Sequence, residues 1–498
     1  MRSLISASHT SNSRLVNFPK QLNLLGLLLV IEAAFMAVPF LVSLVAGGRD
    51  SGAFAITIVI TISAGLLLKT VVRPESDNLG RKDGCMITCI VWVMYSIFGM
   101  LPYILGSSHL NVSEAFFEAM SGFTTTGATV IRDVESCSQS LLLWRALTQW
   151  IGGLGIVLFT LTIIPSLNNS RGIFMFHAEV SGITHDKIGA RIANTAKILW
   201  GLYGAITILL IVLLWIGPMN LMESICHAFA AISTGGFSTR NESIAAYDSV
   251  YVKSVLTVFM FIGGVNFGLI YAAVRGRLRE LFGNDVFRAF LALILFNYIL
   301  TVISLLHAGG FNGWESLTVD PVFHIVSAMT STGFGAGNFE AWGNLSLVMT
   351  ILMMYFGACA GSTTGGAKID RLLYMLKNFM VETKRAVSPR SMKAIRINNQ
   401  IITHENSNEI AAFILIYTGL IILGGVLLSA FDFPIVDAFF SSISCMSNNG
   451  LGAGVTGVTG SYDFVPAVGK WTMSFLMLAG RLEIFALIML VFPSFWRK

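Results

Sequence analysis

The stretch AMSGFTTTGATV (Ala119–Val130) decides how this chain is read: a short apolar segment runs straight into a polar turn of threonines and glycine. It has three echoes, AAISTGGFST (Ala230–Thr239), SAMTSTGFG (Ser327–Gly335) and ISCMSNNGLG (Ile443–Gly452). The first glycines after each Ser/Thr/Asn pair, Gly127, Gly235, Gly333 and Gly450, stand 108, 98 and 117 residues apart. Two places before them are Thr125, Ser233, Ser331 and Asn448; one place before are Thr126, Thr234, Thr332 and Asn449. Five places before are the small residues Gly122, Ala230, Ala328 and Cys445. A feature returning about every 100 residues is the mark of an internal repeat.

Each of these segments lies between two long apolar blocks. Across 498 residues, 54% are hydrophobic and 12% charged, half the charge of an ordinary soluble chain, and the mean hydropathy is +0.73. Blocks such as Leu22–Ala46, Ala193–Ile216 and Ala411–Ala430 approach the roughly 20 residues a helix needs to cross a bilayer. The expected fold is therefore an all-α polytopic membrane protein. Two N-terminal helices (residues 1–80) precede four units of helix, half-helix, turn and helix, at 81–190, 191–284, 285–400 and 401–498. That makes ten spanning helices. The first apolar block is too long for a signal peptide and reads as a retained helix.

Loop charge sets the orientation. Arg81, Lys82, Arg171, Lys187, Arg191, Arg275, Arg277, Arg279, Lys384, Arg385 and Arg396 fall on one face, and few basic residues on the other. By the positive-inside rule the basic face is cytoplasmic, with both termini on it, and the glycine turns enter from outside. The formal net charge of +5 follows those loops and indicates no nucleic-acid partner. The six cysteines are scattered, with no CxxC pair or disulfide framework, and the eight histidines have no metal spacing. His227 and His324, just upstream of turns, read as packing residues.

Irregular backbone at membrane depth is tolerated where it is buried in protein or lines a watery path. Four such turns around one axis could offer carbonyl oxygens in place of a cation's hydration shell. Each half-helix would aim its partial negative C-terminus at that axis. One glycine after a helix is an ordinary helix end; four in register, each on a half-length helix between spanning blocks, point to a pore.

With WRALTQWIGGLGIV (Trp144–Val157), GACAGSTTGGAK (Gly357–Lys368) and GRLEIF (Gly480–Phe485), the four turns resemble the TrkH/KtrB/HKT family of potassium transport subunits over essentially the whole chain. The two extra N-terminal helices favour the TrkH branch. The resemblance implies a K+ filter at Thr125, Thr126, Gly127, Ser233, Thr234, Gly235, Ser331, Thr332, Gly333, Asn448, Asn449 and Gly450, with Asn448–Asn449 departing from the usual Ser/Thr lead-in. It implies K+ as the transported ion, no cofactor in this chain, a homodimer, a cytoplasmic nucleotide-binding ring of the TrkA type as partner, and a bacterial inner membrane.

The small-residue run Gly357–Gly366 interrupts a spanning block, and glycine and serine weaken helix there. The resemblance makes it a gate loop, with Gly357, Gly361, Ser362, Gly365, Gly366 and the intramembrane Arg481 as gate residues. Close helix packing on small residues is the plainer reading. A phosphate loop is excluded, because Lys368 does not follow the second glycine as that motif requires and no strand precedes it. Glu114 and Glu118 read as charge at a pore mouth or helix end. A polytopic enzyme would need a cluster of acids, His or Cys near a membrane face, and none appears. An ion-coupled (Na+ or H+) potassium symporter is the rival function. Intramembrane charges, which such transporters use, are expected to be few.

Overall fold

The computed structural model describes residues 16–71, 81–153, 155, 192–309, 313–388, 394–398, 400–402, 404–457 and 459–496. Helix α1 (Phe18–Val45) starts at Asn17, whose side chain accepts from the Lys20 amide, and pairs with α2 (Ser51–Val71) as a hairpin. The crossing depends on two glycines. A Cβ on Gly26 would sit 2.5 Å from the Gly65 carbonyl oxygen, and one on Gly65 would sit 2.7 Å from that of Gly26. Such backbone-to-backbone approach is how apolar helices associate in lipid, where no hydrophobic force draws them together.

The same order of elements then recurs four times. The first unit is α3 (Arg81–Gly99) with α4 (Leu101–Leu105), the half-helix α5 (Val112–Phe123) and α6 (Gln139–Gly153). The second is α7 (Ile192–Ile216), half-helix α8 (Leu221–Ile232), α9 (Val250–Gly264) and α10 (Phe267–Val274), with a short α11 (Leu278–Gly283) after it. The third is α12 (Asp285–Ala308), half-helix α13 (Glu315–Met329), α14 (Asn344–Phe356) and α15 (Ile369–Val387). The fourth is α16 (His404–Ser429), half-helix α17 (Ile435–Met446), α18 (Ala467–Arg481), α19 (Phe485–Val491) and α20 (Pro493–Trp496). Among the described residues the strands amount to one pair, Arg396–Ile397 with Gln400–Ile401.

Two of the four half-helices, α5 and α8, start where the sequence puts Asn-x-x-Glu. Asn111 with Glu114, and Asn220 with Glu223, form reciprocal capping boxes, each satisfying two helix-start amides. Neighbouring units interlock through aromatics: Trp150 of α6 packs on Trp200 and Tyr203 of α7 and on Phe229 of α8, with ring centroids 5.3–5.5 Å apart.

The spans visible among the described residues are of two kinds. Among the described residues six spans are unbroken: Phe18–Val45, Ser51–Val71, Lys82–Leu105, Ala196–Ile216, Asp285–Ala308 and Ser407–Ser429. In the second, third and fourth units the helix that follows the turn is broken. α9 and α10 meet at 110°, α18 and α19 at 113°, and α14 stops at Phe356 before the 357–368 loop. The distal part of the first such helix, expected to reach Pro165, lies outside the described residues, as do Arg171, Lys187 and Arg191.

Candidate functional site: a ring of four turns and the loop beneath it

Every half-helix ends in the same way. The last residues are capped by Thr124, Ser233, Thr330 and Ser447. The next residue is left-handed without being glycine: Thr125 (φ +55°), Thr234 (+54°), Ser331 (+49°) and Asn448 (+52°). Its amide donates to the carbonyl three residues back, and the following amide, of Thr126, Gly235, Thr332 and Asn449, donates five residues back at 2.8–2.9 Å. This pair of bonds is the Schellman end of a helix. Two residues beyond the left-handed position a second positive φ falls on Gly127 (+85°), Gly236 (+77°), Gly333 (+76°) and Gly450 (+77°).

The register of the second turn is thereby corrected. Gly236, not Gly235, is the counterpart of Gly127, Gly333 and Gly450, and Ser233 is a helix cap matching Thr124. Aligning on the first glycine of Ser233-Thr-Gly-Gly shifted that turn by one residue.

The four glycines close a ring. A Cβ on Gly127 would lie 2.1 Å from the Gly235 carbonyl oxygen, one on Gly236 1.8 Å from that of Thr332, one on Gly333 1.9 Å from that of Asn449, and one on Gly450 2.1 Å from that of Thr126. Each turn thus leans on the next and the fourth returns to the first. All four glycines line one cleft, together with Arg132, Arg240 and Asn241 of the loops that follow the turns.

Buried polar side chains brace the ring. Glu118 of α5 pairs with Arg145 of α6 at 2.8 Å, both sealed from solvent. The Glu118 carboxylate also accepts from the Val130 amide, and Arg145 donates to Ser238 O while its guanidinium stacks 4.1 Å over Phe237. Gln149 donates to Gly235 O at 2.6 Å and accepts from Phe237 N at 3.1 Å. Glu118 is therefore no pore-mouth charge; it sits behind the first turn. Glu114 caps α5 and pairs with Lys470 at 2.9 Å. His227 bonds Glu223 O and the Ser238 hydroxyl, and His324 bonds Thr350.

The 357–368 loop lies directly under the ring. Gly365 N donates to the Ser331 hydroxyl at 2.7 Å, and a Cβ on Gly365 would fall 2.0 Å from Ser447 O and 3.0 Å from the Asn448 side chain. The Thr363 and Thr234 hydroxyls stand 3.3 Å apart. Arg481 completes the set, donating to the Thr125 hydroxyl at 3.2 Å, to Thr363 O at 2.9 Å and to the Gly152 and Gly153 carbonyls. The loop and Arg481 together touch the left-handed residue of all four turns. Gly357 (φ +68°), Gly361 (+74°) and Gly366 (+79°) let the loop fold on itself and against Asn266 at the α9–α10 break. Ser362 bonds within the loop, to Cys359 O and Thr364.

Glu32, Glu118, Arg145, Lys368, Asp370 and Arg371 are all buried inside the protein. In the loops that follow the turns, the Asn241 amide holds the Asp133 carboxyl below its ordinary range. Burial pushes Asp463 up, but the Ser461 hydroxyl and Arg132 outweigh it and hold it low. Among the described residues no group of three His, Cys, Asp or Glu could hold a metal ion.

Four half-helices converging on one ring, followed in the second, third and fourth units by a broken helix, define a four-repeat membrane pore. A family model described as cation transport protein, TrkH, matches residues 50–498, and the chain belongs to that family. It is 33% identical over 481 residues to the Trk system potassium uptake protein TrkH of Escherichia coli K12, covering 95% of this chain and 98% of the relative. It is 32% identical to TrkI of Halomonas elongata, covering 96% of each. The crystal structure of the potassium transporter TrkH from Vibrio parahaemolyticus superposes with a TM-score of 0.87 at 29% identity, covering 97% of this chain and 100% of that one.

Proposed function

We propose that this chain is a potassium uptake subunit of a bacterial inner membrane that conducts K+ passively through the ring of turns. The closed circle of Gly127, Gly236, Gly333 and Gly450, each against its neighbour's carbonyl, carries the reading. Backbone oxygens held at fixed spacing are the ligands a dehydrated cation needs. The filter comprises Thr125, Thr126 and Gly127, Thr234, Gly235 and Gly236, Ser331, Thr332 and Gly333, and Asn448, Asn449 and Gly450, with Ser233 as a helix cap. The relatives' names, Trk system potassium uptake proteins, support K+ as the ion.

The loop from Gly357 to Gly366, with Arg481, is the gate. A cation leaving the ring meets the loop backbone and a guanidinium, and passage requires both to withdraw. The basic loops set both termini in the cytoplasm. There the end of α15, with Lys384 and Arg385, offers a docking place for a nucleotide-binding ring of the TrkA type. The subunit works as a homodimer, one pore per chain, and the unit boundaries are those of the four repeats.

The test is K+ efflux from liposomes holding the purified protein, with a pH-sensitive dye reporting proton movement and valinomycin as control. Downhill K+ efflux that needs no second ion and changes in both Gly127→Ser and Gly333→Ser supports the pore. Efflux that requires Na+ or H+ movement, or ignores both substitutions, replaces it with a coupled symporter.

A further inference from the structure

Two segments beneath the ring hold side-chain-bearing residues in the left-handed region. Lys368, which ends the gate loop, has φ +73°, and Glu483 and Ile484, in the break between α18 and α19, have +48° and +64°. For a β-branched residue such as Ile484 this is a true outlier, and such conformations persist only where the surroundings over-determine them. Arg371 is what joins the two segments. From the first turn of α15 its Nη1 donates to Ala367 O, next to Lys368, at 3.1 Å. Its Nη2 is ion-paired to Glu483. The guanidinium lies 3.9 Å from the Phe413 ring of α16, and the pair is nearly sealed, with side-chain exposures of 8% and 16%.

We propose that the Arg371–Glu483 pair is a strut that fixes the gate loop to the hinge of the fourth inner helix, so that loop and hinge open together. The end of α18 also touches the loop, through Arg481 on Thr363 O; the strut adds an anchor four residues further along the loop. Two anchors on one rigid turn prevent the loop from swinging alone. A buried pair held by one planar fork also fixes direction, which an ammonium could not do. The inference rests on the loop being the gate.

The experiment measures basal K+ efflux per monodisperse protein in liposomes for Arg371→Gln, Glu483→Gln, the charge exchange Arg371→Glu with Glu483→Arg, and Arg481→Ala as a reference for the gate. Each neutral single variant should raise basal efflux about tenfold, and the exchange should return it to within about threefold of the unmodified protein. Arg371→Lys keeps the charge but loses the fork, and serves if the neutral variants do not fold; it too should raise efflux. Unchanged efflux in folded Arg371→Lys or Glu483→Gln, with Arg481→Ala raised, overturns the strut and leaves the gate standing. A raised exchange variant, no better than the singles, also overturns it. Unchanged efflux in all variants including Arg481→Ala removes the gate and the strut together.

Discussion

Replacing Gly236 by alanine tests the corrected register of the second turn most directly. Gly236 has φ +77°, and a Cβ there would lie 1.8 Å from the Thr332 carbonyl oxygen and 3.0 Å from its carbon. The left-handed conformation costs an alanine about 1–2 kcal/mol. The overlap is with backbone, which cannot rotate away, and over-packing of that kind adds about 1–3 kcal/mol. The sum, roughly 2–5 kcal/mol, falls on the joint between the second and third turns. Gly235→Ala is the matched control. Its φ is not positive, and its Cβ would meet the Gln149 side-chain amide at 2.5 Å, a group that can turn aside by giving up two hydrogen bonds. The assay is paired K+ and Na+ efflux from liposomes, normalised to protein that elutes as a single species. Gly236→Ala should lose more than tenfold of its K+ flux or of its preference for K+, and Gly235→Ala distinctly less. The opposite ranking, with Gly236→Ala indistinguishable from the unmodified protein, would refute the alignment and the ring with it.

Arg481→Ala should raise basal K+ efflux, because it removes donors to Thr125, Thr363 O and the Gly152 and Gly153 carbonyls; normal expression with unchanged efflux contradicts a gating role. Glu118→Gln leaves Arg145 buried without its carboxylate, which costs about 3–5 kcal/mol when a sealed pair is broken; it should lower the melting temperature in detergent, and an unaltered melt would mean the pair does not brace the ring. The Arg132–Asp463 clasp joins the loops that follow the turns of the first and fourth units. Because the folded carboxyl of Asp463 lies below its ordinary value, its contribution is complete above the ordinary carboxylate pKa and fades as pH falls through the lowered one. With Arg132 exposed it amounts to less than about 1 kcal/mol. Asp463→Asn should therefore shift the melt slightly at pH 7 and not at all well below that lowered pKa, and an equal shift at both would deny the linkage.

The repeat was legible because its parts are unlike anything a soluble helix carries: apolar blocks of membrane length and four half-length segments ending in Ser/Thr/Asn and glycine. The register of the second turn was not, because Ser233-Thr-Gly-Gly holds two glycines. The residue that fixes the helix end there is left-handed Thr234, for which composition gives no signal. The breaks at Val265–Asn266 and Leu482–Ile484 were hidden for a related reason. Those stretches are free of proline, and tertiary bonds such as Asn266 Nδ2 to Ala360 O at 2.8 Å hold the chain bent. Arg145 was passed over inside an apolar helix, although Glu118 and Thr129 show why it is tolerated. The Asn-x-x-Glu boxes before α5 and α8 were readable and would have marked the half-helix starts.

Because the ring is written four times within one chain, its quadrants can be edited one at a time. A pore of four identical chains changes every quadrant with each substitution, so its ion coordination moves in steps of four. Here Asn448 and Asn449 alter a single quadrant: Asn449 reaches across to Ala328 O of the third unit and Asn448 to the Thr126 hydroxyl of the first. Ion preference in such a chain can be tuned in quarter steps, with three unaltered neighbours holding the fourth in shape.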